Sequence, residues 1–496
     1  MSANVTGRIK THTFMKKRRY RIRWGRVALL VLFLTAVGYA IYYAIVGIGM
    51  LFSLIFGPKT DKAEEDKVEV INVSKEQLDE SSRMTQLIDS MMHQPMRLDT
   101  ALIAISIYDL TTEQQIYSMH DKQLLPPASC MKISTAIAAL KTLGMKHEYH
   151  VSLMTRGKMR GDTLVGNVLL KADDDPLFED MPALARQLRD RGVRNIRGNV
   201  YMMLAREDTL RPHPTAKLWD IPFHKTPLLL KGKKTVNRHL IASLRSAGIS
   251  YRRDNSVRPA GMYRAVATTS HRLTDVITPM MIHSSNIKAD AVLYHLDYKQ
   301  GIVADKRIHW DQRHATEIFW RKIMNADSTN VMQGFVFNDG SGLSPTNRMT
   351  AAFLVDMLRY AYKDKQLREY LIKEAMATPG EPSRRGSLLS RLAHTDYRDR
   401  IFVKTGTMTT IGGSSLAGYI HGHDGHWYAF SIINTDSPVA ESRIFQDRLC
   451  KTMMKGKKDT TPIAIATTIH SNEKRCGSEE KRCGSKDTIS GSYGNS

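Results

Sequence analysis

Residues 126–132 read Pro-Pro-Ala-Ser-Cys-Met-Lys, and Ile133, Ile137 and Leu140 follow before Gly144. The double proline predicts a turn, the i, i+4, i+7 apolar stripe an amphipathic helix, and Gly144 its stop. Ser129 and Lys132 then stand one turn apart on one face at a helix start. A serine hydroxyl is a weak nucleophile until a base takes its proton. The lysine reaches it, and desolvation beside other cations would make the amine a better base. Free N–H groups at the helix start favour a developing oxyanion. The pattern alone carries little weight. Ser-x-x-Lys occurs at Ser129, Ser285, Ser471 and Ser478, the last two in the polar tail and Ser285 inside another motif, and the plain reading of Ser129 by itself is an ordinary helix cap.

Three further strings add weight to it. Ser284-Ser285-Asn286 opens a second helical pattern, and helix capping again explains it when it is taken alone. Asn338-Asp339-Gly340-Ser341-Gly342-Leu343-Ser344 is a glycine-rich turn of rare composition. Lys404-Thr405-Gly406-Thr407 ends a predicted strand; Lys-Thr-Gly occurs once here, against roughly 0.1 chance matches. A lysine and two hydroxyls around a glycine suit a substrate carboxylate, because glycine lets a ligand approach the strand edge.

Strands are expected at 101–109, 114–119, 165–170, 198–203, 401–406, 414–421 and 426–434, and helices at 73–92, 182–191, 236–247, 286–298, 311–325 and 349–373. Residues 150–270 mix short elements with many basic residues and read as an inserted subdomain between 73–149 and 271–455. The Asp173-Asp174-Asp175 run is expected as an exposed loop. His421, His423 and His426 flank Asp424-Gly425, a hairpin signal rather than a metal site. Cys130 reads as a small buried side chain.

The chain has 496 residues with 72 Lys+Arg against 49 Asp+Glu, a net charge of +23 that favours anionic surroundings. Four cysteines exclude a disulfide-stapled scaffold. Residues 1–26 hold nine basic side chains and no acid, and 27–56 hold no charged residue. That run would span ~45 Å as a helix, longer than a ~30 Å hydrocarbon core. A basic cytoplasmic tail (1–26), a single transmembrane anchor (27–56) and a linker (57–72) are therefore expected, with everything beyond on the extracytoplasmic side. A nucleic-acid role is excluded on that topology. Residues 456–496, with a tandem Glu-Lys-Arg-Cys-Gly-Ser, are too polar to fold and are expected to be a disordered tail.

The order of the motifs carries the argument. Ser-x-x-Lys, Ser-x-Asn and Lys-Thr-Gly in succession form the triple of penicillin-binding proteins and serine β-lactamases. Ser284–Asp290, the Asp-Gly-Ser-Gly-Leu-Ser string and Lys404–Thr407 leading into Leu416-Ala417-Gly418-Tyr419 narrow this further. Over about 75–455 the chain resembles the D-alanyl-D-alanine carboxypeptidase/endopeptidases, the class C low-molecular-mass penicillin-binding proteins. The resemblance implies an α+β fold, an antiparallel sheet flanked by helices, with an insertion. It implies Ser129 as the acylated nucleophile, Lys132 as its base, Ser284 as proton relay and Asn286 as holder of the substrate amide. Lys404, Thr405, Gly406 and Thr407 would bind the terminal carboxylate, and the N–H groups of Ser129 and Thr407 would form the oxyanion hole. The implied substrate is the peptidoglycan stem peptide, with β-lactam antibiotics as acylating inhibitors and no metal or cofactor. A β-lactamase or esterase of the same superfamily and an inactive envelope scaffold are the alternatives. The chain departs from the family at Pro345, where arginine is frequent, and in the Asp173–Pro176 segment.

Overall fold

The computed structural model describes residues 74–94, 102–216, 225–302 and 312–455. The expected tail, anchor and linker of 1–72 and the tail 456–496 lie outside the described residues. Among the described residues no helix is long and apolar enough to cross a membrane.

Helix α1 (Lys75–Met92) starts at a Ser74–Gln77 capping box and precedes the hairpin β1 (Leu102–Asp109) and β2 (Gln114–Met119). Helix α2 (Met131–Leu143) leads into β3 (Glu148–Arg160), β4 (Thr163–Ala172), α3 (Met181–Asp190), β5 (Asn195–Gly198) and β6 (Val200–Leu204). Then come α4 (Lys233–Ser246), β7 (Ser250–Arg253), β8 (Arg264–Arg272), α5 (Leu273–Ile282), α6 (Asn286–Lys299) and α7 (Ala315–Ile323). The chain continues through α8 (Ala351–Lys363), α9 (Lys365–Tyr370), β9 (Ile401–Met408), β10 (Gly413–His421), β11 (Trp427–Thr435) and α10 (Val439–Met453).

The first sheet is antiparallel, in the order β2-β1-β11-β10-β9. Its side chains alternate between two cores. Ile103, Ile105, Ile107, Phe430 and Ile432 pack with Met84 and Ile88 of α1 and Phe445 and Leu449 of α10. Ala104, Tyr108, Ala429 and Ile433 face the other way, onto Ile133, Ile137 and Leu140 of α2 and the helices around it. Burial on both faces explains why these strands read as nearly continuous apolar runs. β9 lies at the edge, against the turn that carries Ser129.

The second sheet runs β7-β5-β4-β3-β8, with β6 beside the end of β4. Val151, Leu153, Val168 and Leu170 bury one face against Leu184 and Leu188 of α3 and Leu240 and Leu244 of α4. The other face keeps Arg156, Lys158 and Arg197 toward solvent. Those charges hid β3; the sequence reading assigns neither it nor β8. Nor does it assign α10, although Phe445, Leu449 and Met453 recur every four residues. The helix expected over 349–373 breaks at Asp364, whose carboxylate accepts the Gln366 and Leu367 N–H groups and so starts a new helix.

The Asp173–Asp175 segment corrects another expectation. Asp174 and Asp175 are buried, not exposed. Asp174 pairs with His295 at 2.6 Å and Arg206 at 3.2 Å, and Asp175 with His271 at 2.7 Å. These contacts tie the second sheet to α6. Burial alone would raise the Asp174 carboxyl, but His295 and then Arg206 hold it down at about 2. A depressed carboxylate stabilises the fold above its unfolded value near 3.8 and loses that contribution as pH falls toward 2. Asp174→Asn should cost about 3–5 kcal/mol in urea unfolding at pH 7, because it leaves a buried Arg206 without its anion. About half of that deficit should vanish as pH falls through 2, since the shift from 3.8 to about 2 is worth roughly 2.4 kcal/mol; a loss independent of pH would contradict the pairing.

Candidate active site

The helix start expected at Ser129 is present, with a modification. Ala128–Cys130 form a single 3-10 turn that runs into α2, so Ser129 sits just ahead of the helix proper. Ala128 is held at φ 46°, a left-handed conformation that costs an alanine energy and lifts the serine out of the helical path. Gly342 sits directly over that turn; any side chain there would collide with the Ala128 carbonyl. Cys130 points away, its Sγ near the Lys404 carbonyl, and burial raises its thiol pKa.

Lys132 is fully buried. Its Nζ donates to Ser129 Oγ at 2.8 Å, Asn286 Oδ1 at 2.6 Å and the Ser341 carbonyl at 2.6 Å. Three motifs far apart in the chain therefore converge on one lysine nitrogen. Asn286 is the first residue of α6, capped by the Ser285 hydroxyl. Ser284 takes φ 57° and its Oγ receives the Lys404 Nζ at 2.9 Å. Lys404 is also wholly buried, and its second acceptor is the Thr405 carbonyl at 2.8 Å. Burial first, and then the charge of Lys132, lower Lys404 to about 7. Lys404 is thus a buried partner of Ser284 rather than an open cation.

Thr405 donates to Ser387 Oγ at 2.6 Å. Gly406 has no room for a side chain: a Cβ would overlap Ser415 Oγ and stand 3.0 Å from the Ser129 backbone nitrogen. Glycine therefore brings the edge of β9 up to the Ser129 amide. Ser129, Asn286, Gly342 and Thr407 to Thr410 line a cleft of about 110 Å³. Pro345 lines it too, and none of its lining residues is charged.

Several supporting groups escaped the sequence reading. Asp339 accepts the Gly342 N–H at 2.6 Å, the Ser344 N–H at 2.7 Å and the Asn347 amide at 3.1 Å, which shapes the 338–344 turn. Thr135 donates to the Gly340 carbonyl at 2.8 Å, and Asp290 accepts the Gly340 N–H at 3.1 Å. Burial, with Asp339 next, raises Asp290 well above the usual carboxylate range and favours its neutral form. The turn is thus fixed from α2 and α6 so that the Ser341 carbonyl meets Lys132. Both aspartates lie inside the quoted motif segments, which was the available signal. At the far end of β10, His426 pairs with Asp109 at 2.7 Å and His421 stacks on Trp427, around the turn at Asp424-Gly425.

A serine, a buried lysine beside it and a second serine–lysine pair at the edge of an antiparallel sheet define an active-serine acyltransferase of penicillin-binding type. The chain belongs to the D-Ala-D-Ala carboxypeptidase 3 (S13) family, whose model matches residues 84–216 and 230–452. It is 24% identical over 454 residues to a D-alanyl-D-alanine carboxypeptidase of Actinomadura sp. (strain R39), covering 71% of this chain and 81% of that one. The crystal structure of penicillin binding protein 4 from Haemophilus influenzae shares the fold, with a TM-score of 0.57 at 16% identity over 75% of this chain and 99% of the other. The same protein complexed with a β-lactam gives a TM-score of 0.55 at 18% identity, over 76% and 99%.

Proposed function

We propose that this chain is a serine-type D-Ala-D-Ala carboxypeptidase/endopeptidase that cleaves peptidoglycan stem peptides through an acyl-Ser129 intermediate. The observation that carries the reading is the contact of Lys132 Nζ with Ser129 Oγ, 2.8 Å, in a site where Asn286 and Ser341 fix the amine. In acylation Lys132, as the neutral amine, accepts the Ser129 proton as Oγ attacks the carbonyl carbon of the penultimate D-alanine. The N–H groups of Ser129 and Thr407 receive the oxyanion. The C–N bond then breaks, and the leaving amine takes a proton through Ser284, which Lys404 holds in place. Asn286 orients the acyl side. Water attacks the acyl ester, the stem peptide departs as a free acid and the Ser129 hydroxyl is restored. The substrate carboxylate lies at Thr405–Thr407.

The reading extends to location. The basic 1–26 and uncharged 27–56 segments support a single-pass anchor in the bacterial cytoplasmic membrane, with the catalytic part on the side where peptidoglycan lies.

Mass spectrometry of the purified protein with and without benzylpenicillin tests the chemistry. A lasting penicilloyl adduct on the Ser129 peptide is the expected result. Rapid hydrolysis of the drug without adduct would favour a β-lactamase. Neither, in folded protein, would point to an inactive scaffold.

A further inference from the structure

We propose that Arg443 is the cation that recognises the free carboxylate of the residue that leaves, and so sets the enzyme's preference for peptides with that group. This rests on the peptidase reading above. Side chains alternate along β9, so Lys404 and Gly406 point toward α2 while Thr405 and Thr407 point toward the α10 side. From α10, Arg443 Nη2 donates to Thr407 Oγ1 at 2.9 Å. Thr407 lines the same cleft as Ser129.

Among the described residues no carboxylate pairs directly with Arg443. Its natural i, i+4 partner would be Asp447. Arg391 captures that carboxylate instead, through Nη2 at 2.7 Å and Nε at 2.9 Å. Among the described residues Arg443 forms no ion pair, and the Thr407 hydroxyl is its side chain's one acceptor. Burial, followed by the neighbouring Arg391, disfavours its charged form, and Asp447 offsets this only in part. Lys404 cannot serve instead, since its ammonium is buried and committed to Ser284 and Thr405. A carboxylate that hydrogen-bonds Thr407 would meet a planar fork with four of its five N–H donors uncommitted. The amide of an internal peptide bond offers no such charge.

The test compares an N-acylated peptide ending in D-Ala-D-Ala with its C-terminal amide, on the full-length protein. Wild type should prefer the acid by at least about tenfold. Arg443→Gln should lower kcat/KM on the acid roughly 10- to 100-fold, mainly through KM, and change the amide less than about threefold. Arg443→Lys should recover part of the loss. Equal losses on both peptides, or wild-type rates that do not distinguish them, would overturn the assignment; the second comparison holds even if Arg443→Gln folds poorly. A wild type that forms a penicilloyl adduct yet hydrolyses neither peptide overturns the substrate reading itself, and is seen before any variant is compared.

Discussion

Ser129→Ala forms no penicilloyl adduct and hydrolyses D-Ala-D-Ala peptides at least about 10⁴-fold more slowly than wild type, the scale on which loss of a catalytic nucleophile acts. No neighbouring group can take over. Cys130 is adjacent in sequence, but its thiol is buried, turned toward the Lys404 carbonyl and raised in pKa, so little thiolate exists. The Ser284 hydroxyl is engaged by Lys404 rather than Lys132. The substitution should leave stability within about 0.5 kcal/mol, since Ser129 is partly exposed and Lys132 keeps two other acceptors. Intact-protein mass spectrometry, turnover and thermal unfolding together separate loss of chemistry from loss of fold. Turnover within tenfold of wild type would remove Ser129 from the mechanism.

The chemistry was legible in the sequence to the extent that it depends on short-range spacing. Ser129 and Lys132 are a helical turn apart, and Lys404 to Thr407 are consecutive on a strand, so local geometry fixes each pair before the fold is known. The strands β1, β10 and β11 were legible for the same reason: both faces are buried, and apolar runs follow. The remainder depends on contacts between distant residues. Asp174 and Asp175 look like a solvated acidic run until His295, 121 residues away, and His271, 96 away, close over them. Asp290 and the Ser341 carbonyl act by holding a turn in place, and a hydrogen bond to a backbone carbonyl leaves no residue signature. Arg443 was least visible. One arginine among 72 basic residues gains meaning only when α10 packs beside Thr407 and Arg391 removes its acidic partner. β3 was missed because Arg156 and Lys158 interrupt its alternation, and β8 because Thr268 to His271 leave it little apolar pattern.

Lys132→Met should lower the rate of acylation by benzylpenicillin about 10³-fold, within the range that general-base catalysis supplies, without lowering the melting temperature. Methionine fills much of the same volume and keeps the packing of α2. The stability expectation follows from opposing terms. Losing the ammonium leaves the Asn286 amide oxygen and the Ser341 carbonyl short of a donor, at about 1–3 kcal/mol each. Against this, two lysines lie wholly buried in one site, and Asp290, a carboxyl that feels the charge of Lys132, is driven toward its neutral form. Taking a lysine head group out of water costs several kcal/mol, and sparing that cost is enough to offset the lost acceptors. Lys404 offers an independent readout. Burial is the larger reason it stands at about 7, and Lys132 is the second. In the variant burial is the one remaining cause that lowers it, so the Lys404 pKa should rise while staying below the ordinary 10.5. Residual acylation that depends on a protonated Lys404 would then persist to higher pH than in wild type. A variant that keeps wild-type rates would show that Lys132 is not the base. One that melts several degrees lower would show that its three hydrogen bonds outweigh the strain of burying it.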